Sequence, residues 1–307
     1  MQSAQEFLAE FTVDNLPNLD TVVLGALELC DSVTAPSLKI DFLRPLVVGS
    51  VNALSTGKII FRDKYAVYSD ESNFEELLEN EQIDGVVVVS ASGSKHSVDV
   101  VKKLQEKNRE VILITNNPAA KAGEFVNEVV LFPKNREPYT YNTSTYLSMV
   151  LSETGESAAD LKDFLEKRVE PSLLRNFSSY SAFTFIVPPQ FSLVREMFRT
   201  KFDELFGPYI IGRIFTSEEI KHAKTVVSSG DELFVSFGEP NEYFGLPKNR
   251  LKLPLPENVD YGAILAIGYY LIGKIQKDHP PYFKNNIVEY TEKISKIFGQ
   301  EIKPIVE

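Results

Sequence analysis

Val86-Val87-Val88-Val89-Ser90-Ala91-Ser92-Gly93-Ser94 is the stretch on which the reading of this 307-residue chain turns. Four consecutive valines leave no polar face for water. They predict a strand covered on both sides, as in a parallel sheet flanked by helices. The run ends in a serine-rich turn with one glycine. Helical spacing comes next, with Val98, Val100, Val101 and Leu104 on one face of a helix over 97–106. A strand–turn–helix unit puts its turn at the carboxyl edge of a parallel sheet, where ligands bind. The first N–H groups of the helix lack partners and carry partial positive charge. Three hydroxyls, a permissive glycine and the cation of Lys95 complete a donor set that fits phosphate. His96 is the next residue. The same residues also make a serine-rich turn with an N-cap, which needs no ligand.

Outward from this unit, β and α signals alternate. Strands are predicted at 46–48, 65–68, 111–114 and 129–132, and helices at 75–79 and 142–151. In the second half strands are predicted at 183–187, 209–211, 233–237 and 251–253. Helices are predicted at 193–206, 217–226 and 261–275. A polar helical segment over 153–180 joins the halves. The order implies an α/β protein with two similar parallel-sheet domains, residues 1–155 and 156–307.

Composition narrows the function. The chain is 43% hydrophobic and 24% charged, ordinary for a globular protein. Thirty-two basic against 43 acidic residues leave a net charge of −11, which disfavours nucleic acid and anionic membrane as partners. Cys30 is alone, so no internal disulfide forms and no cysteine-based metal site exists, in keeping with a reducing compartment. Three histidines without an HExxH pattern give no metal site. Neither GxxxxGK[ST] nor a GxGxxG after the first strand is present, which argues against a nicotinamide or flavin enzyme, and no cofactor is expected. Residues 1–11 lack the basic and apolar regions of a signal peptide. The apolar run 261–275 is shorter than the roughly 20 residues of a membrane span. A cytoplasmic protein is expected.

With Gly49-Ser50 closing the first strand, the Ser90-Ala91-Ser92-Gly93-Ser94 loop resembles the Ser-x-Ser-Gly pattern of the sugar isomerase (SIS) domain. Two such units in tandem, from about residue 40 onward, resemble the isomerase portion of glucosamine-6-phosphate synthase and the glucose/mannose-6-phosphate isomerases. The resemblance implies two flavodoxin-like domains, each a parallel sheet with helices on both faces. It implies a sugar phosphate held by Ser50, Ser90, Ser92, Gly93, Ser94 and Lys95. Phe202-Asp203-Glu204-Leu205 resembles the family's Lys-Glu-Ile helix, which makes Glu204 the base that moves the proton. Glu218-Glu219-Ile220-Lys221-His222 resembles Gly-Glu-Leu-Lys-His. That makes His222 the ring-opening group, reaching the neighbouring subunit's site in a homodimer. Arg136-Glu137-Pro138 with Thr143-Ser144-Thr145 resembles Glu-x-x-Val-Ala-Ser-Thr-Lys and implies a substrate-binding role for Glu137. Lys284 or Asn285 stands for the synthase's C-terminal lysine.

The implied activity is aldose–ketose isomerisation of a hexose 6-phosphate through an enediol, or a related deaminase or deglycase reaction. The sequence also departs from the family. Lys95 replaces a threonine, Thr145 replaces a lysine, and Ala223-Lys224 replaces Gly-Pro after the histidine. These departures leave a non-catalytic phosphosugar sensor as the alternative.

Overall fold

The computed structural model describes residues 2–94 and 96–307; Lys95, expected in the phosphate loop, lies outside the described residues. Helices α1 (Ala4–Glu10) and α2 (Leu19–Ser32) come first. After them come β1 (Pro45–Val48), α3 (Asn52–Ile60), β2 (Val67–Ser69), α4 (Phe74–Leu77), β3 (Gly85–Val89), α5 (His96–Glu106), β4 (Val111–Thr115) and β5 (Glu128–Leu131). The five strands form one parallel sheet in the order β2-β1-β3-β4-β5. The valine run behaves as its composition demands. Val86 and Val88 pack with Val100, Val101 and Leu104 of α5, while Val87 and Val89 enter the central core on the other face.

Next come β6 (Glu137–Pro138), α6 (Thr143–Thr154), α7 (Ala158–Phe164), β7 (Ala182–Val187), α8 (Arg195–Phe206) and β8 (Ile211–Thr216). The chain continues through β9 (Glu232–Phe237), β10 (Arg250–Leu253), α9 (Tyr261–Asp278), α10 (Tyr282–Phe298) and β11 (Ile305–Val306). A second parallel sheet runs β10-β9-β7-β8. Its inner face, with Phe183, Phe185, Val235 and Phe237, joins the same central core as Val87 and Val89. On its outer face Ile186 and Phe234 meet Ile220 and Phe244, which come from turns and not from a long helix. The last strand returns to the first half, where β11 pairs antiparallel with β6.

Four expectations from the sequence shift. The strand expected at 65–68 begins at Val67, and Tyr65 is exposed. The strand expected at 209–211 runs Ile211–Thr216 and pairs with β7 over its whole length. Gly207 ends α8 at positive φ, and Tyr209 stacks on Tyr282 outside the sheet. The helix expected over 217–226 is a single 3₁₀ turn, Glu219–Lys221. Thr216 and Glu219 cap one another reciprocally, through N–H to carboxylate at 2.9 Å and N–H to hydroxyl at 3.1 Å. Between Ile220 and residue 226 nothing is buried, and Val226 and Val227 are exposed. A β-branched run without a packed face does not propagate a helix. The helix expected over 193–206 opens as a 3₁₀ turn, Pro189–Val194, and becomes α-helical at Arg195.

Helix α9 is buried around most of its circumference and holds the two sheets on one core. It lies backbone to backbone against α2. A Cβ on Gly273 would stand 1.9 Å from the Asp20 nitrogen. Gln276, one turn on, accepts the Leu19 N–H at 2.9 Å and donates to the Tyr141 hydroxyl at 3.0 Å. Because the obstacle at Gly273 is main chain, which cannot rotate away, Gly273→Ala is expected to cost about 3 kcal/mol of stability. Urea unfolding watched by circular dichroism measures it, and an unchanged midpoint would refute the close packing.

Candidate functional site

The 90–94 loop is built so that its oxygens are drawn back. The Ala91 carbonyl accepts from the Thr115 hydroxyl at 2.9 Å and from the Asn116 N–H at 3.3 Å. The Ser92 carbonyl accepts from the Asn117 amide at 2.8 Å, and the Gly93 carbonyl from the Ala122 N–H at 2.9 Å. The Ser94 carbonyl accepts from the Ser97 hydroxyl at 2.7 Å. With the carbonyls engaged from behind, the N–H groups of Ser92 and Ser94 have no acceptor among the described residues. The loop therefore offers donors, at the start of α5, to anything in front of it. Gly93 sits at φ +55°, and a Cβ there would come within 2.4 Å of the Ala120 side chain. The carbonyl partners Thr115, Asn116 and Asn117 escaped the sequence reading; the end of the neighbouring predicted strand was the available signal.

In front of the loop lies a cavity of about 460 Å³. Ser50, Ser90, Ser92, Ser94 and His96 line it from the first sheet. Residues far away in sequence line it as well: Tyr139, Tyr146, and Tyr290 and Phe298 of α10. Lys134 also reaches the cavity. Its ammonium donates to the Glu307 carbonyl, and burial pushes its pKa down. The cavity thus brings a donor-rich loop together with several tyrosines.

Glu204 lines an adjoining cavity of about 590 Å³, and Tyr290 faces both. One Glu204 oxygen accepts from Lys201 at 2.7 Å. Lys201 is fully buried and also donates to the Tyr141 carbonyl at 2.8 Å. This pair, three residues apart on α8, is a helix-neighbour pattern that could have been found in the sequence. Burial, with the charge of Glu204 as a further cause, pushes the phenols of Tyr139, Tyr146 and Tyr290 up, that of Tyr139 to about 12. These tyrosines therefore stay protonated near neutral pH.

The remaining expected residues lie apart. His222 is exposed in the turn after β8 and lines neither cavity. Lys284, half-buried in the first turn of α10, also lines neither. Burial lowers its pKa and the charge of Asp20 opposes the shift. Asn285 is exposed beside it. Glu137 is buried and caps α6. Its two oxygens accept the N–H groups of Thr143 and Ser144 at 2.6 Å each, where Asn142 makes no side-chain cap. Burial raises its pKa, and those bonds oppose the rise. His279 closes α9, with one ring nitrogen 2.8 Å from the Ile275 carbonyl and the other 2.9 Å from that of Tyr180. Among the described residues no group of metal-binding side chains is assembled, and no helix is long and apolar enough to cross a membrane.

No family model and no curated protein matches the sequence. Solved structures match the fold. Glucosamine-6-phosphate deaminase from Thermotoga maritima superposes with a TM-score of 0.61 at 14% identity, covering 86% of this chain and 96% of that one. Tagatose-6-phosphate ketose/aldose isomerase from Escherichia coli gives 0.58 at 12% identity, covering 92% and 93%. The C-terminal domain of glucosamine-fructose-6-phosphate aminotransferase from Francisella tularensis gives 0.58 at 12% identity, covering 87% and 98%. The fold is the expected α/β arrangement of two parallel sheets flanked by helices, and these structures share it.

Two substitutions separate the loop from its scaffold. Gly93→Ala forces a left-handed backbone on a residue with a Cβ, a cost of about 1–2 kcal/mol. It is expected to abolish calorimetric binding of inorganic phosphate. Glu137→Gln turns an amide NH₂ toward one of the two cap donors. It should lower stability by about 1–3 kcal/mol while phosphate binding persists. Equal loss of phosphate binding in both variants would contradict the division.

Proposed function

We propose that the chain binds a hexose 6-phosphate and interconverts its aldose and ketose forms, or carries out a related deaminase or deglycase reaction that begins with the same proton shift. The observation that carries this reading is the 90–94 loop, whose carbonyls are bonded from behind while Ser90, Ser92 and Ser94 face a cavity. Its partner is the ion pair Glu204–Lys201 beside the same tyrosines. The names of the structural neighbours, an isomerase and a deaminase of 6-phosphorylated hexoses, support the substrate class.

In this reading residues 1–155 supply the phosphate cradle and 156–307 the base. The phosphate accepts N–H and hydroxyl bonds from the loop and Ser50, which leaves the carbon chain to run toward the tyrosines. Lys201 holds one oxygen of Glu204, and the other takes the proton from C2 of the open aldose and returns it to C1. The enediol between them carries its developing charge beside the protonated tyrosines, which can donate to it. Such a transfer needs no cofactor. A homodimer, as the resemblance implies, belongs to the same proposal.

A sensor that binds the sugar phosphate without turning it over is the second reading. It is favoured by the departures from the family pattern at Lys95, Thr145 and Ala223-Lys224. Incubation with glucose 6-phosphate, fructose 6-phosphate and mannose 6-phosphate in deuterated water distinguishes the two. Isomerisation places solvent deuterium at C1 or C2, and Glu204→Gln should lower kcat by about 100-fold or more while glucitol 6-phosphate still binds. Binding without exchange selects the sensor. A chain that no sugar phosphate stabilises against heat would refute both.

A further inference from the structure

We infer that His96 is the acid–base group at the sugar ring oxygen, acting within the same chain that holds the phosphate. The inference rests on the isomerase reading above and assigns it a residue that the resemblance does not. His96 lines the cavity together with Ser50, Ser90, Ser92 and Ser94. It is the first residue of α5, and its ring stands edge-on to Phe298 of α10, with centroids 5.7 Å apart and planes at 78°. The imidazole therefore stands beside the serine loop with Phe298 against its edge.

The position fits the chemistry of the ligand. In a cyclic hexose 6-phosphate the ring oxygen is bonded to C5, the carbon next to the phosphate-bearing C6, in both the aldose and the ketose form. This oxygen lies three bonds from the phosphate-bearing O6, so a group beside the phosphate cradle can serve it. His96 lines the cavity together with the serines of that loop. Glu204 lines the adjoining cavity, which shares Tyr290 with this one. Other polar groups of the cavity are less apt for the step. Glu71 lines it as well, and so does Lys134, whose ammonium is engaged by the Glu307 carbonyl. The phenol of Tyr139 is pushed up to about 12. A neutral imidazole has one ring nitrogen that donates and one that accepts.

The step balances without a further reactant. For the aldose, the bond from C1 to the ring oxygen breaks and the imidazolium of His96 gives that oxygen a proton. The electron pair of the O1–H bond becomes the second bond of the C1 carbonyl. The proton released from O1 returns to the imidazole through water, so the histidine ends as it began.

The test uses the full chain and two substitutions, His96→Gln and His96→Ala. Both are on an exposed residue, and equal thermal midpoints confirm that they fold. Turnover of fructose 6-phosphate should fall about 100-fold. Calorimetric affinity for glucitol 6-phosphate, which has no ring to open, should stay unchanged, and added imidazole should restore part of the rate of His96→Ala. Three results would overturn the assignment: wild-type turnover in both variants, loss of turnover in His222→Gln in their place, or a fall in glucitol 6-phosphate affinity that matches the fall in rate. The last would make His96 a phosphate contact. Failure of the isomerase reading is distinguishable, because it would show in the unsubstituted chain as binding of glucitol 6-phosphate with no turnover of any hexose phosphate.

Discussion

Everything distinctive about the two cavities depends on the contact in which the backbone of α9 lies against the backbone of α2 at Gly273 and Asp20. Helices pack at such short distance only where one of them has no side chain. The consequence is global, because α2 belongs to the first half of the chain and α9 to the second. Their contact places the inner faces of both sheets on one core, with Val87 and Val89 on one side and Phe185 and Phe237 on the other. It also aims the C-terminal helix. Helix α10 leaves the end of α9 and brings Tyr290 and Phe298 to the cavity that the 90–94 loop lines. The chain then pairs β11 with β6. The first half alone carries the loop and lacks α10.

A net charge of −11 is compatible with the proposed phosphate cradle because the loop is made largely of neutral groups. Partial charges on backbone N–H groups at the start of α5 act over a few ångströms, whereas the net charge acts through screened water. What decides the local sign is which way the carbonyls point. Thr115, Asn116, Asn117, Ala122 and Ser97 take up the carbonyls of residues 91–94, and the donors remain. Gly93 is the residue that allows the reversal, at φ +55° and with Ala120 against it.

The second half shows where a motif and its surroundings separate. The α8 stretch keeps its carboxylate in a cavity because Lys201, buried one turn earlier, ties it there. The 218–222 stretch carries a similar string of residues without a similar environment. Its turn is capped locally by Thr216 and Glu219, and only Ile220 reaches the sheet. His222 is exposed in this arrangement and lines neither cavity of its own chain, whereas His96 lines the cavity of the serines.

The strands of both sheets, the covered valine strand and the turn after it were legible in the amino-acid sequence. Their signals are local: apolar runs whose length and β-branching suit a strand buried on both faces, and turn residues that end them. The buried α9 was legible for the same reason. Strand boundaries such as 209–211 and the helix expected over 217–226 were misplaced, because a partner strand and a packed face set them and neither is visible in a short window. The composition of the cavity was also hidden. Tyr139, Tyr146, Tyr290 and Phe298 come together from stretches far apart in the chain, and only the course of the folded chain brings them in front of the loop. Neighbouring residues suffice to dictate the α/β plan and the donor-rich loop, since both are settled over a few positions of chain. Which aromatic rings share a cavity with that loop is settled by folding, because those distances are closed by the packing of α9 and α10 and not by the spacing of residues along the chain.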